Sequence, residues 1–280
     1  MAKFAYRIVN VFTRDSATLS GNPLCVFEDG RSLDAQTMQA LALQFNLSET
    51  TFILPSTRAN AGVRIFTPTY EMPFAGHPTL GTAHVCRALG LGTDSLTLDM
   101  PAGIIPVEAS GQSWTLQATS RGWRDVEEPR AALAAMLGIA EIDIGERPLW
   151  VNAGREQLVI PLKSEQAVRN VHVRAELLTK LSCADGAAQV YVFAQSGGRA
   201  LARFFFPQGQ AVLEDPATGS AAANLGGWWL ALGRPLPSRI EISQGELTGR
   251  PSVLRLHVDG DRRILVSGEV IELGRGTIEL

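Results

Sequence analysis

Short alternating runs of apolar and polar residues make up most of this chain, and only a few stretches carry helical spacing. Residues 6–13 alternate as a strand does, residues 21–23 (Gly-Asn-Pro) read as a turn, and residues 24–27 read as a second strand. A helix follows. Asp34 suits its N-cap, Leu33 and Met38 can pack across that cap, and Met38, Leu41, Ala42 and Phe45 recur at i, i+3, i+4 and i+7 until Asn46. Residues 50–54 and 63–66 are β-branched or aromatic strands, and Pro55 closes the first of them. A second helix runs from Pro78 to Gly90, and residues 96–100, 104–108 and 114–118 are strands. Residues 121–130 turn charged and read as a linker into a helix over 129–137. Beyond it, 149–152, 157–162, 190–194 and 200–206 read as strands, and 175–181 as a short helix. A long helix then ends near Gly233, and 240–244, 253–258 and 264–270 finish as strands. A turn at 274–276 leads residues 277–280 back toward the first part of the chain.

One stretch appears twice. Arg64-Ile65-Phe66-Thr67-Pro68 leads to Gly76-His77-Pro78, and Arg203-Phe204-Phe205-Phe206-Pro207 leads to Glu214-Asp215-Pro216. Both copies open R-x-F-x-P, and both reach a polar residue followed by Pro. Aligned on that polar residue, Thr82 and Ser220 fall at one shared position. In each copy a strand gives way to a loop and then a helix, with His77 or Asp215 expected at the N-cap and Pro at the first helical position. Unpaired N–H groups at a helix start favour an anion, and two such starts would hold a small carboxylate between the halves.

The duplication implies two related halves. The second long helix contains Ala221, Ala222, Ala223, Gly226 and Gly227, side chains too small to cover a sheet from outside. They suit a helix enclosed on several sides. The fold class expected is therefore α+β: two pseudo-symmetric halves, each a rolled, mostly antiparallel sheet around a central helix. Residues 1–120 form the first half, 121–270 the second, and 271–280 return to the first, with the active site in the cleft between them.

At 280 residues the chain has room for two cores, and 45% hydrophobic with 19% charged residues is ordinary globular composition. The net charge of −3, with no basic run, argues against nucleic acid as a partner. No apolar run has the length of a membrane span, and the N-terminus lacks a signal peptide's apolar core. Cys25, Cys86 and Cys183 show no metal-ligand spacing and fit free thiols in a reducing cytoplasm.

Four motifs, in order, resemble the phenazine-biosynthesis PhzF-like family. They are Gly21-Asn22-Pro23, then Asn46-Leu47-Ser48-Glu49-Thr50-Thr51-Phe52, then Met72-Pro73-Phe74-Ala75-Gly76-His77-Pro78-Thr79, and Glu214-Asp215-Pro216-Ala217-Thr218-Gly219-Ser220-Ala221. The likeness continues to Gly274-Arg275-Gly276-Thr277-Ile278. The resemblance implies a diaminopimelate-epimerase-like fold, no cofactor and no metal, and a cytoplasmic homodimer. It also implies an isomerase moving a proton within a small cyclic carboxylic acid, as in trans-2,3-dihydro-3-hydroxyanthranilate isomerisation. On that basis Glu49, His77 and Asp215 are the expected catalytic residues, and Ser48, Gly76, Gly219 and Ser220 the expected substrate contacts.

The chemistry agrees with that assignment. A proton moved between carbons needs a base whose conjugate acid can return it, and a carboxylate shielded from water can serve both steps. Glu49 lies among Leu47, Phe52 and Ile53. His77 can donate or exchange a proton, and Asp215 can accept from an amino or hydroxyl group. His84, like Cys86, reads as core; His172 and His257 read as surface residues, and Trp228-Trp229 as packing or a dimer contact. Two other classes remain. A two-cysteine racemase or epimerase of the same fold would need a thiol at each helix start. Residues 71–80 and 211–220 contain none. A non-catalytic small-molecule-binding relative would not need Glu49, His77 and Asp215 together.

Overall fold

A computed structural model describes residues 1–280. Its contacts divide the chain into two compact units, residues 1–117 with 267–280, and residues 118–266.

The first unit contains β1 (Lys3–Val11), β2 (Asn22–Phe27), α1 (Ala35–Phe45), β3 (Glu49–Leu54), β4 (Ala61–Phe66) and β5 (Glu71–Met72). α2 (Gly76–Ala88), β6 (Ser95–Met100), β7 (Gly103–Ser110) and β8 (Ser113–Ala118) complete it, with most of the last strand. Eight strands join in a ring. β1 pairs with β2, β2 with β3, β3 with β4, β4 with β6, β6 with β7 and β7 with β8. The final strand pairs with both β8 and β1 and closes the ring. The β2–β3 and β4–β6 joins are parallel, each spanning an intervening segment, while β1–β2, β3–β4, β6–β7 and β7–β8 are antiparallel. α2 makes contacts with β1, β2, β3, β4 and β6, and ten of its thirteen residues are buried. α1 lies against β3 and β4, where Met38, Leu41 and Ala42 join Phe27, Phe52 and Phe66. The Asp34 side chain accepts from the Thr37 N–H at 2.7 Å, and Asn46 takes the left-handed conformation that ends α1.

The second unit contains β9 (Gly122–Asp125), α3 (Arg130–Leu137), β10 (Leu149–Asn152), β11 (Glu156–Pro161), α4 (Glu165–Arg169) and α5 (Ala175–Leu178). A small hairpin of β12 (Ser182–Cys183) and β13 (Gly186–Ala187) precedes β14 (Val190–Ser196), β15 (Arg199–Gln208) and β16 (Ala211–Asp215). α6 (Gly219–Ala231), β17 (Ser238–Gln244), β18 (Ser252–Val258) and β19 (Ile264–Glu279) complete the chain. β19 begins in this unit and continues in the first. The pairing β10–β11–β14–β15–β17–β18 repeats β1–β2–β3–β4–β6–β7, with the same two parallel joins and with β16 in the place of β5. α6 follows β16 as α2 follows β5, and eleven of its thirteen residues are buried.

The repeated R-x-F motif has a structural reason. Arg64 forks onto Glu71 across the β4–β5 hairpin at 2.7 and 2.6 Å, and its guanidinium lies 5.0 Å from the Phe66 ring centre. Arg203 does the same with Glu214 at 3.0 and 2.7 Å and with Phe205 at 4.7 Å. Each clamp holds the hairpin that delivers the chain to its central helix.

Several local expectations differ. Neither polar residue of the repeat is an N-cap. α2 starts at Gly76, with Ala75 as its cap and His77 inside the first turn. Asp215 ends β16 opposite Phe204, and Thr218 caps α6. The second hairpin is longer, so the clamping glutamate is the better guide to alignment. Gly76 follows Glu71, and Gly219 follows Glu214, by the same interval. His77 thus corresponds to Ser220, and the pairings of His77 with Asp215 and of Thr82 with Ser220 do not hold. Residues 122–125 of the expected linker form β9, paired with β10; there Arg124 bonds Glu156 and lies over Trp150, so its charge hid a strand. Only Gly21 (φ 78°) turns in its motif, since Asn22 and Pro23 already belong to β2. Residues 175–181 are helical only through Leu178.

Enclosure makes Gly81 a specific test. A Cβ there would lie 2.6 Å from Leu24 and about 3 Å from Val9 and Val11, inside the ring. Alanine favours a helix by about 1 kcal/mol, but overpacking costs roughly 1–3 kcal/mol. Gly81→Ala is expected to destabilise, read as a lower urea midpoint; a higher midpoint would show that the ring can give way.

Candidate active site

In the first unit, Glu49 opens β3 and His77 lies in the first turn of α2. Glu49 Oε2 is 3.3 Å from His77 Nε2, with the side chains 16% and 7% exposed. The histidine makes a hydrogen bond to backbone Pro23. Its Nε2 faces Glu49 and has no other hydrogen-bond partner. Burial pushes the ring down to about 3, against the smaller opposing effect of Pro23, so the imidazole is neutral at pH 7. The 3.3 Å contact is therefore a neutral ring beside a carboxyl group rather than a salt bridge. A neutral ring carries its hydrogen on one nitrogen and a lone pair on the other, so Nε2 can donate to the Glu49 carboxylate in one tautomer and accept from its protonated form in the other. With the hydrogen on Nδ1, the Nε2 lone pair can accept a hydrogen bond from a protonated carboxyl. Gly76 is the buried first residue of α2, and Ser48 is exposed just before β3.

In the second unit, the expected residues gather at the start of α6. The Thr218 hydroxyl donates to Asp215 Oδ2. Gln244 Nε2 donates to the Asp215 carbonyl at 2.9 Å and to Thr218 Oγ1 at 3.1 Å. Gly219 is the buried first helical residue, and Ser220 follows, half-buried. Gln157 Nε2 donates to Ser220 Oγ at 3.0 Å. Thr218, Gln157, Gln244 and Asn224 are polar neighbours that the motifs did not single out as site residues. Asn224 carried a readable signal, being a lone amide one turn beyond Ser220 in an otherwise apolar and glycine-rich helix.

The remaining candidates separate by environment. Cys25 and Cys86 are buried, and burial raises both thiols, Cys86 to about 12, so neither is a ready nucleophile. His84 is half-buried with an unpartnered Nδ1, less satisfied than a core histidine. Burial, then the charge of Arg87, pushes it to about 4. Trp228 and Trp229 are buried, and their N–H groups bond Arg147 O and Gln195 Oε1 at 2.9 and 3.2 Å. They serve packing within the unit. No helix is long and apolar enough to cross a membrane.

A family model described as phenazine biosynthesis-like protein matches residues 9–276. The trans-2,3-dihydro-3-hydroxyanthranilate isomerase of Pseudomonas chlororaphis is 39% identical over 98% of this chain and 99% of its own length. An uncharacterized isomerase of Pasteurella multocida is 37% identical over 99% of this chain and 95% of its own. The crystal structure of a PhzF-family phenazine biosynthesis protein from Bacillus anthracis superposes with a TM-score of 0.87 over 100% of both chains, at 21% identity. It shares the α+β fold.

A neutral buried histidine couples stability to pH. Ordinary imidazole titrates near 6.5 and His77 near 3, so between these values the unfolded chain binds a proton that the folded one refuses. Stability from this group is complete above about pH 6.5 and falls toward pH 3, by up to about 1.4 kcal/mol per pH unit. His77→Gln is expected to flatten that fall, measured as urea stability at pH 7, 5.5 and 4. Parallel profiles would mean that His77 titrates normally.

Proposed function

This chain belongs to the phenazine biosynthesis-like protein family, and we propose that it moves a proton between carbons of a small cyclic carboxylic acid without a cofactor. It is an isomerase of the PhzF type. The first substrate class to consider is that of trans-2,3-dihydro-3-hydroxyanthranilate, on which relatives 36–39% identical are named to act.

The observation that carries this reading is the Glu49–His77 contact of 3.3 Å between two largely buried side chains. In the proposed reaction the Glu49 carboxylate takes a proton from one substrate carbon. The protonated carboxyl is then held against the Nε2 lone pair of neutral His77, away from water. It returns the proton to a second carbon of the conjugated system, and the carboxylate is regenerated. His77 orients and shares the proton; its low proton affinity unsuits it as the base. Asp215, steadied by Thr218, accepts from a substrate amino or hydroxyl group. Ser48, Gly76, Gly219 and Ser220 meet the substrate, with backbone N–H groups at the two helix starts suited to its carboxylate. A cytoplasmic homodimer belongs to the same proposal and is carried by the resemblance.

An epimerase acting on another small carboxylate by the same carboxyl chemistry is the alternative. A thiol pair is disfavoured, because Cys25 and Cys86 are buried and raised.

With dihydro-hydroxyanthranilate, Glu49→Gln is expected to lose about 10²–10⁴-fold in turnover while still binding a carboxylate ligand. Asp215→Asn and His77→Ala should lose less. Near-normal turnover by Glu49→Gln would remove this residue from the mechanism, and a wild type that turns over only other carboxylates would favour the alternative.

A further inference from the structure

A hydroxyl can give or take a hydrogen bond, and at Ser220 two buried amides decide which. Asn224 lies one turn beyond Ser220 on α6 and is fully buried. Its Oδ1 accepts from the Ala153 N–H at 2.7 Å, and its Nδ2 donates to the Arg155 carbonyl at 3.0 Å. Backbone groups cannot exchange donor and acceptor, so this amide has one orientation. Nδ2 also donates to Gln157 Oε1 at 2.7 Å. Gln157, 1% exposed, is thereby fixed as well. Its Nε2 must face the other way, donating to Ser220 Oγ at 3.0 Å and to Gln189 Oε1 at 3.1 Å. A flipped Gln157 would set two NH₂ groups against each other at Asn224.

Ser220 Oγ therefore accepts from inside the protein. Its own hydrogen meets no protein acceptor, and the residue is only half-buried. Ser220 is the second residue of α6, where N–H groups of the first turn have no partner within the helix and favour negative charge. A hydroxyl donor beside them complements an anionic acceptor.

We propose that Gln157, locked by Asn224, is a positioning residue that makes the Ser220 hydroxyl a dedicated donor to a carboxylate of the substrate. This rests on the reading of Ser220 as a substrate contact. It adds the direction of the hydrogen bond and the two residues that impose it.

The test is a double-mutant cycle on anthranilate binding, followed by calorimetry, which needs no turnover. Ser220→Ala removes the donor and is expected to weaken binding roughly 10- to 100-fold, as for a hydrogen bond to a charged group. At Ser220, Gln157→Leu keeps the hydroxyl but frees it to rotate, and should cost about 3- to 10-fold. In the Ser220→Ala background Gln157→Leu should cost almost nothing, because its effect runs through the hydroxyl. A purely structural role would give full losses in both backgrounds. Where dihydro-hydroxyanthranilate is turned over, Gln157→Leu should raise KM more than it lowers kcat. Gln157→Met provides the same cycle if the leucine variant does not fold. Additive losses, unchanged binding in Gln157→Leu, or a wild type that binds no anthranilate would each overturn the proposal. Gln157-dependent binding without turnover would instead overturn the assigned reaction and leave the positioning role standing.

Discussion

Each unit depends on one constraint, a helix enclosed by its own sheet. A helix buried on every side cannot carry a wide apolar face, because the strands stand too close. α2 and α6 meet this with Gly, Ala, Ser and Thr, and Gly81 and Gly226 have no room even for a methyl group. A polar group inside must then be satisfied by the strands around it. Thr82 bonds Thr51 on β3 at 2.8 Å, and Asn224 takes the backbone beyond β10 together with Gln157 on β11.

The same enclosure explains the chemistry available at the helix starts. Glu49 and His77 meet because β3 and the first turn of α2 are neighbours in the first unit. Burial removes the charge from His77 against the smaller opposing effect of the Pro23 backbone. A neutral ring beside a carboxyl group is a different device from an ion pair, although the two share a distance. At α6, the corresponding place is filled by Ser220. There fixed amides orient the Ser220 hydroxyl, and Asp215 is held by Thr218 nearby.

The repeat shows how duplication and divergence coexist. Both units keep the strand order, the two parallel joins and the Arg–Glu clamp. The clamping glutamate and the helix start keep a constant interval, while the hairpin before them is longer in the second copy. The residues that could do chemistry were then free to differ: a histidine in one first turn, a serine in the other.

The sequence by itself determined the α+β class, the two enclosed helices, the Asp34 cap, the absence of thiols near the helix starts, and the motifs that assign the family. These are local or compositional properties, set by side-chain size, spacing and capping chemistry. It misjudged features that depend on partners distant in the chain. Residues 122–125 looked like a charged linker, because Glu156 and Trp150, which give Arg124 its place in β9, lie in other strands. His77 and Asp215 looked equivalent because both precede proline; strand pairing in β16 holds Asp215 away from the helix that Thr218 caps. Only the tertiary structure could set Glu49 against Nε2 of a neutral His77 and fix the direction of the Ser220 hydrogen bond. Both rest on burial and on backbone groups that no pattern of residue types displays.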